Sequence, residues 1–112
     1  IKLLDSGDAI RTYCYITDVI EMFWNIFLFG EDLIYNVGGK SVTSIYDLSV
    51  LIGSKLNKNV EIPKEINQQL GNPKIVNISI DKYMNEFKKH NFVSLEDGLN
   101  KTINWQKKLY NE

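Results

Sequence analysis

The hydrophobic period changes several times along this chain. Ile1 to Leu4 reads as a short strand, and Asp5-Ser6-Gly7-Asp8 as a turn, where Gly accepts positive φ and Asp or Ser side chains bond nearby backbone. Arg11 to Ile16 is aromatic or β-branched apart from Arg11 and Cys14, which predicts a second strand. Asp18 is then the expected cap of a helix, with Glu21 three residues on closing a capping box, and Gly30 stops the helix after Phe29. Asp18, Glu21 and Asn25 form a narrow polar strip on it, while Ile20, Phe23, Trp24, Phe27 and Leu28 fill most of the remaining circumference. A helix this apolar needs covering on more than one side, so a neighbouring lobe is expected outside these residues.

Leu33 to Val37 is a short apolar run ended by Gly38-Gly39 and predicts a buried strand. Ser44, with Asp47 three residues later, caps a helix on which Ile45, Leu48, Ile52 and Leu56 recur at helical spacing. Val60 to Ile62 reads as another short strand, residues 64–73 as a polar loop, and Lys74 to Ile78 as an extended piece. Ile80, Tyr83, Met84 and Phe87 predict a short helix; Ser94 and Asp97 cap a last one, which buries Leu95, Leu99 and Ile103. The fold class expected is α/β, a mixed α+β piece in which short strands alternate with about four helices. Residues 1–112 form one domain or part of one.

Composition narrows the partners. Lys and Arg number 13 against 14 Asp and Glu, and basic clusters are short, which argues against nucleic acid. The apolar run Val19 to Phe29 is far below the roughly 20 residues that span a bilayer. Cys14 stands alone, so a disulfide framework is excluded, a reducing compartment such as the cytoplasm fits, and a buried strand position is expected for it. The chain opens on Ile1 with no signal-peptide pattern, and a longer parent protein is expected.

No phosphate-binding glycine loop, nucleophile elbow or histidine pair occurs, so no catalytic residue is assigned. His90, the one imidazole, follows a predicted helix beside Lys88 and Lys89 and reads as solvated. Arg11, the one arginine, invites two readings. At the rim of a strand its guanidinium fork can hold phosphate oxygens bidentately, with the Tyr13 hydroxyl projecting from the same strand face. Equally, it can pair with Asp8 or Asp18.

Asp5 to Asp18, DSGDAIRTYCYITD, resembles the segment G-x-G-x-x-x-R-x-[FY]-x-[YH]-V-x-D of extended short-chain dehydrogenase/reductases, the nucleotide-sugar epimerase, dehydratase and decarboxylase group. Further fragments follow in that group's order: Ile34 to Gly39 resembles its "y-N-v-G-g" turn, and Ser44 to Gly53 its "s-i-x-[ED]-L-x-x-x-I-g" helix. Asp81 is similar to the aspartate before its short helix, and Leu95 to Trp105, LEDGLNKTINW, to its closing "l-x-e-G-l-x-x-t-i-x-W". Together these collinear pieces cover nearly the whole chain.

The resemblance implies a two-lobed enzyme. A Rossmann lobe carries the glycine-rich loop, a Tyr-x-x-x-Lys pair and bound NAD; a smaller C-terminal lobe, the part similar to this chain, holds a nucleotide-diphosphate sugar. It implies diphosphate contact for Arg11 and nucleotide contact for Tyr13. Two departures bear on this: Thr12 stands where the group often has Asp, and Gly71-Asn72-Pro73-Lys74 where many members place a second arginine, so either Lys74 or Asn72 substitutes or the diphosphate is held less tightly. The parent enzyme is expected to remodel a sugar by transient oxidation, for surface polysaccharide, while this piece binds substrate and does no chemistry. The alternative is a free-standing interaction module docking through the apolar helix 18–29. Self-association through exposed apolar surface is expected of an amputated lobe.

Overall fold

The computed structural model describes residues 1–64 and 73–110. In chain order its elements are β1 (Ile10–Tyr13), α1 (Ile16–Phe29), β2 (Ser41–Ser44), α2 (Ile45–Leu56), α3 (Asp81–Phe87) and α4 (Leu95–Tyr110). β1 and β2 make a two-stranded sheet. The mixed α/β class and the helices around Ser44, Tyr83 and Ser94 are as expected. Two compact units emerge: Ile1–Arg11 with Val42–Asn77, and Thr12–Ser41 with Ile78–Glu112.

In the first unit the predicted turn forms as read. The Gly7 amide donates to Asp5 Oδ1 at 2.8 Å and the Ser6 hydroxyl to Asp8 at 2.7 Å. Gly7 sits at φ +74°, buried against Tyr46, where a side chain would be strained and crowded. At the start of α2 the Ser44 hydroxyl accepts from the Asp47 amide at 2.9 Å, and Asn57 ends the helix in the left-handed region. The expected strands Ile1 to Leu4 and Val60 to Ile62 shrink to a single parallel bridge, Lys2 to Glu61. Lys74 to Ile78 likewise contributes one bridge, Ile75 to Ile10. Runs of three to five residues are too short to build a ladder with a buried face, and each sustains one ladder step.

The second unit is built on Met22, Ile80 and Tyr83, all buried, with Ile26, Tyr35, Met84, Phe87 and Phe92 packed around them. Tyr83 and Phe87 stack with centroids 4.8 Å apart, and the buried Tyr83 hydroxyl is satisfied by the Asn25 amide at 2.8 Å. The first turn of α4 is closed by Ser94, whose hydroxyl accepts from the Asp97 amide at 3.1 Å.

Three expectations need correction here. The strand predicted over Arg11 to Ile16 stops at Tyr13, because Tyr15, in extended conformation, is already the residue before α1. Asp18 does not cap that helix: it lies inside the first turn, buried, and its carboxylate is used elsewhere, accepting from the Val93 amide at 2.9 Å and pairing with Lys89 at 3.1 Å. Leu33 to Val37 forms neither a strand nor a buried segment, with Leu33 98% and Ile34 76% exposed. Side chains hold the run instead of a ladder: Tyr35 donates its hydroxyl to Glu86 at 2.7 Å, Lys82 reaches Asp32 and the Ile34 carbonyl, and Asn36 donates to the Ser79 carbonyl. Conversely, β2 (Ser41–Ser44) is a strand the hydrophobic pattern did not announce, since Val42 is its only apolar position.

Candidate functional site

The proposed phosphate-binding side chains originate in backbone pairing of the first unit. Ile10 donates its amide to the Lys74 carbonyl at 2.8 Å and accepts from the Val76 amide at 3.1 Å, forming the parallel bridge to Ile75. Arg11 and Lys74 each lie next to a residue of this bridge, Arg11 in β1 and Lys74 in the bend that leads into Ile75. Arg11 is half-buried and folds one arm of its fork back, Nη1 donating to the Ile10 carbonyl at 2.7 Å. Lys74 is exposed. Asp8 and Asp18, considered as partners for Arg11, accept instead from Ser6 and from Lys89 with the Val93 amide. Asn72 lies outside the described residues.

Tyr13 belongs to the second unit, where it lines a cavity of about 130 Å³ with Cys14, Tyr15, Val93, Leu95 and Gly98 among its walls. Ser41, Ser94 and Thr102 add hydroxyls to an otherwise apolar lining. The Tyr13 backbone is closely approached by another: a methyl on Gly39 would overlap the Tyr13 carbonyl oxygen, so only glycine fits there. Lys101 lies over the Tyr15 ring, 5.3 Å from its centroid. Cys14, expected in a buried strand, is half-buried just beyond β1. Burial pushes its thiol up, the Asp18 carboxylate adds to that and Lys89 opposes it, so Cys14 is a packing residue and not a thiolate nucleophile.

The most constrained charges among the described residues escaped sequence reasoning. Lys89 is only 10% exposed and sits between Asp18 at 3.1 Å and Glu21 at 2.8 Å, with its Nζ 5.0 Å from the centre of the Phe92 ring. Burial works against its charge, but the Glu21 and Asp18 hydrogen bonds outweigh that and hold its proton above the ordinary lysine range. The signal was present in the i, i+3 spacing of Asp18 and Glu21 and in the Lys88-Lys89 pair, yet a cap explained the acids first. His90, as expected, is exposed. Among the described residues no cluster of His, Cys, Asp and Glu could hold a metal ion, and no helix is long and apolar enough to cross a membrane.

No protein-family model matches the sequence, and no curated protein is similar to it in sequence. Solved structures do match. dTDP-glucose 4,6-dehydratase from Bacillus anthracis, in complex with NAD, superposes on 96% of this chain with a TM-score of 0.81 at 23% identity. UDP-glucuronic acid 4-epimerase from Bacillus cereus, in complex with UDP-glucuronic acid and NAD, covers 97% of it with a TM-score of 0.78 at 26% identity. A Y149F variant of that epimerase with a fluorinated UDP-sugar and NAD matches with a TM-score of 0.75. The chain spans about a third of the length of these structures, 34% and 35% of the first two. It thus has the fold of one part of such enzymes, in keeping with the resemblance seen in the sequence.

Proposed function

We propose that this chain is the nucleotide-sugar-binding part of an enzyme that acts on a nucleotide-diphosphate sugar, with NAD held by a lobe outside these residues. The observation that carries this reading is the match, over 97% of the chain, to one third of a structure that holds UDP-glucuronic acid and NAD. On this reading Arg11 and Lys74 supply positive charge to the diphosphate, Tyr13 lies beside the nucleotide, and Asn72 assists Lys74 where a second arginine would otherwise stand.

Each role follows from its chemistry. The free arm of the Arg11 guanidinium gives directed donors to phosphate oxygens, and its other arm, tied to the Ile10 carbonyl, limits the fork's rotation. Lys74 is a point charge on a flexible stem and adds attraction without direction. Hydride transfer and proton transfer belong to the lobe outside these residues, so this part orients substrate and screens its charge. The parent enzyme works in the cytoplasm on sugars for surface polysaccharide.

The test is calorimetry on the protein that contains this chain, titrated with UDP-glucuronic acid and with dTDP-glucose. Arg11→Ala is expected to weaken binding by about 2–5 kcal/mol, the usual cost of stranding a desolvated charge. Lys74→Ala should cost less, because Lys74 is itself exposed to water. Wild-type affinity in Arg11→Ala would remove Arg11 from the site.

A further inference from the structure

The polar side of α1 does more than close the core. Asp18 lies in its first turn, 5% exposed, and is bonded from several sides. Its amide donates to the Tyr15 carbonyl at 3.0 Å. One carboxylate oxygen accepts from the Val93 amide at 2.9 Å, and the other pairs with Lys89 at 3.1 Å. Tyr15 and Val93 are both walls of the cavity that Tyr13 lines, Tyr15 on the segment between β1 and α1, Val93 on the segment between α3 and α4. Asp18 thus ties the two walls to each other through a single residue. An uncharged acceptor would satisfy the Val93 amide with less to desolvate. The carboxylate is tolerated because the buried Lys89 returns its charge, and an ionised acceptor makes the shorter and stronger bond. The chain is bent to deliver that cation. Lys88 takes φ +55°, a conformation that glycine adopts freely and other side chains resist, and so ends α3 with the next side chain turned to Asp18 and Glu21. Phe92 packs on the core with the Lys89 ammonium over its ring, and Ser94 then caps α4. The connection from Lys89 to Ser94 is therefore fastened at both ends and in the middle.

We infer that Asp18 is a positioning residue for the nucleotide end of the substrate: it sets the spacing of the cavity walls, and with it the place of Tyr13, while Lys89 makes its buried charge tenable. The inference deepens the proposed function and rests on it, because Tyr13 is the residue that reading puts beside the nucleotide. Asp18 and Lys89 touch no ligand themselves. They act through Val93 and Tyr15 on the ring that does, and a group held by tied walls is already placed when the nucleotide arrives.

The test uses the full protein that contains this chain, with 3-fluorotyrosine in place of tyrosine and the Tyr13 fluorine signal assigned by its loss in Tyr13→Phe. Asp18→Glu keeps the charge and the acceptor but lengthens the arm by one methylene; Asp18→Asn keeps the length and removes the charge. Each should move the Tyr13 signal by more than its linewidth and weaken UDP binding, read by calorimetry, about tenfold, which is ~1.4 kcal/mol. Glu21→Gln weakens the second acceptor of Lys89 without touching the tie between the walls, so it should leave both readings at their wild-type values. Circular dichroism selects the variants that stay folded. If neither Asp18 variant folds, the wild-type protein still decides: the Val93 amide should exchange its hydrogen at least about 100-fold more slowly than the amide of exposed Asn91. The inference is overturned by a Tyr13 signal or a UDP affinity unmoved in a folded Asp18 variant, by Glu21→Gln behaving as Asp18→Asn does, or by Val93 and Asn91 amides that exchange alike. A wild-type protein that binds no UDP, with a Tyr13 signal that still answers to Asp18, sinks the substrate reading and spares the tie. UDP bound equally well with and without the Asp18 substitutions sinks the tie and spares the substrate reading.

Discussion

Helices α1 and α4 belong to one unit and are similar in length, 14 and 16 residues, yet they treat water in opposite ways. Over its first turns α4 keeps Leu95, Leu99 and Ile103 on its covered side and shows solvent mostly Glu96, Asp97 and Lys101, the usual arrangement of a surface helix, and only its last two turns expose Trp105, Leu109 and Tyr110. α1 buries Asp18 and Met22 and shows solvent a row of aromatic rings. Their neighbours explain the difference. α4 meets apolar surface around Tyr15 and Cys14, whereas α1 meets Lys89, the Val93 amide and the Tyr83 hydroxyl, which require acceptors or donors. A polar strip is therefore not always the wet side of a helix, and an apolar stripe facing out marks a surface that something else is meant to cover.

The contrast can be attacked first at the buried charges. Lys89→Met leaves Asp18 desolvated and short of its cation, and should cost about 3–5 kcal/mol of stability, read from urea unfolding of the 112-residue chain. Alkali should reproduce part of that loss reversibly. Because the folded state raises the Lys89 pKa, its contribution is complete at neutral pH and disappears as pH climbs through that raised value, above the ordinary lysine range. A melting temperature that is flat through that window would show the pair to be idle.

Smaller effects sharpen the other side. Ser94→Ala removes the side-chain acceptor for the Asp97 amide and should cost about 1 kcal/mol, confined to α4 in hydrogen exchange. Phe27→Ser, by contrast, should change the stability of the chain by less than about 0.5 kcal/mol, since the ring is 68% exposed, while lowering the binding of a hydrophobic dye. A loss above about 1 kcal/mol for Phe27→Ser would place the ring in the core and erase the contrast.

Much of this architecture could be read from the residues. The caps at Ser44 and Ser94, the turn at Gly7 and the helix through Tyr83 and Phe87 are local matters, decided within a few residues, and they stand where the sequence placed them. Asp18 failed as a cap because its partners, Lys89 and Val93, lie more than 70 residues away, beyond the reach of any local rule. Leu33 to Val37 failed as a strand because apolar composition promises burial, while burial needs a surface to lie against. The excess of apolar positions on α1, however, was visible from the start, and the fold leaves those side chains exposed. For the candidate site, the sequence singled out Arg11, Tyr13, Lys74 and Asn72, the last of which lies outside the described residues. The bridge at Ile10 that brings the backbones next to Arg11 and at Lys74 together could not be seen without the long-range pairing.

The meeting of Gly39 with the Tyr13 carbonyl bears on how such a sequence can drift. Neighbouring positions of the same connection, Leu33 and Ile34, stand in water and tolerate exchange as far as their own unit is concerned. At position 39 the obstacle to any added carbon is main chain, which has no rotamers to offer, so no compensating change of side chain can open the space. Two stretches more than twenty residues apart are thereby held in register by the absence of an atom, and substitution there would push on the Tyr13 main chain before it touched any side chain.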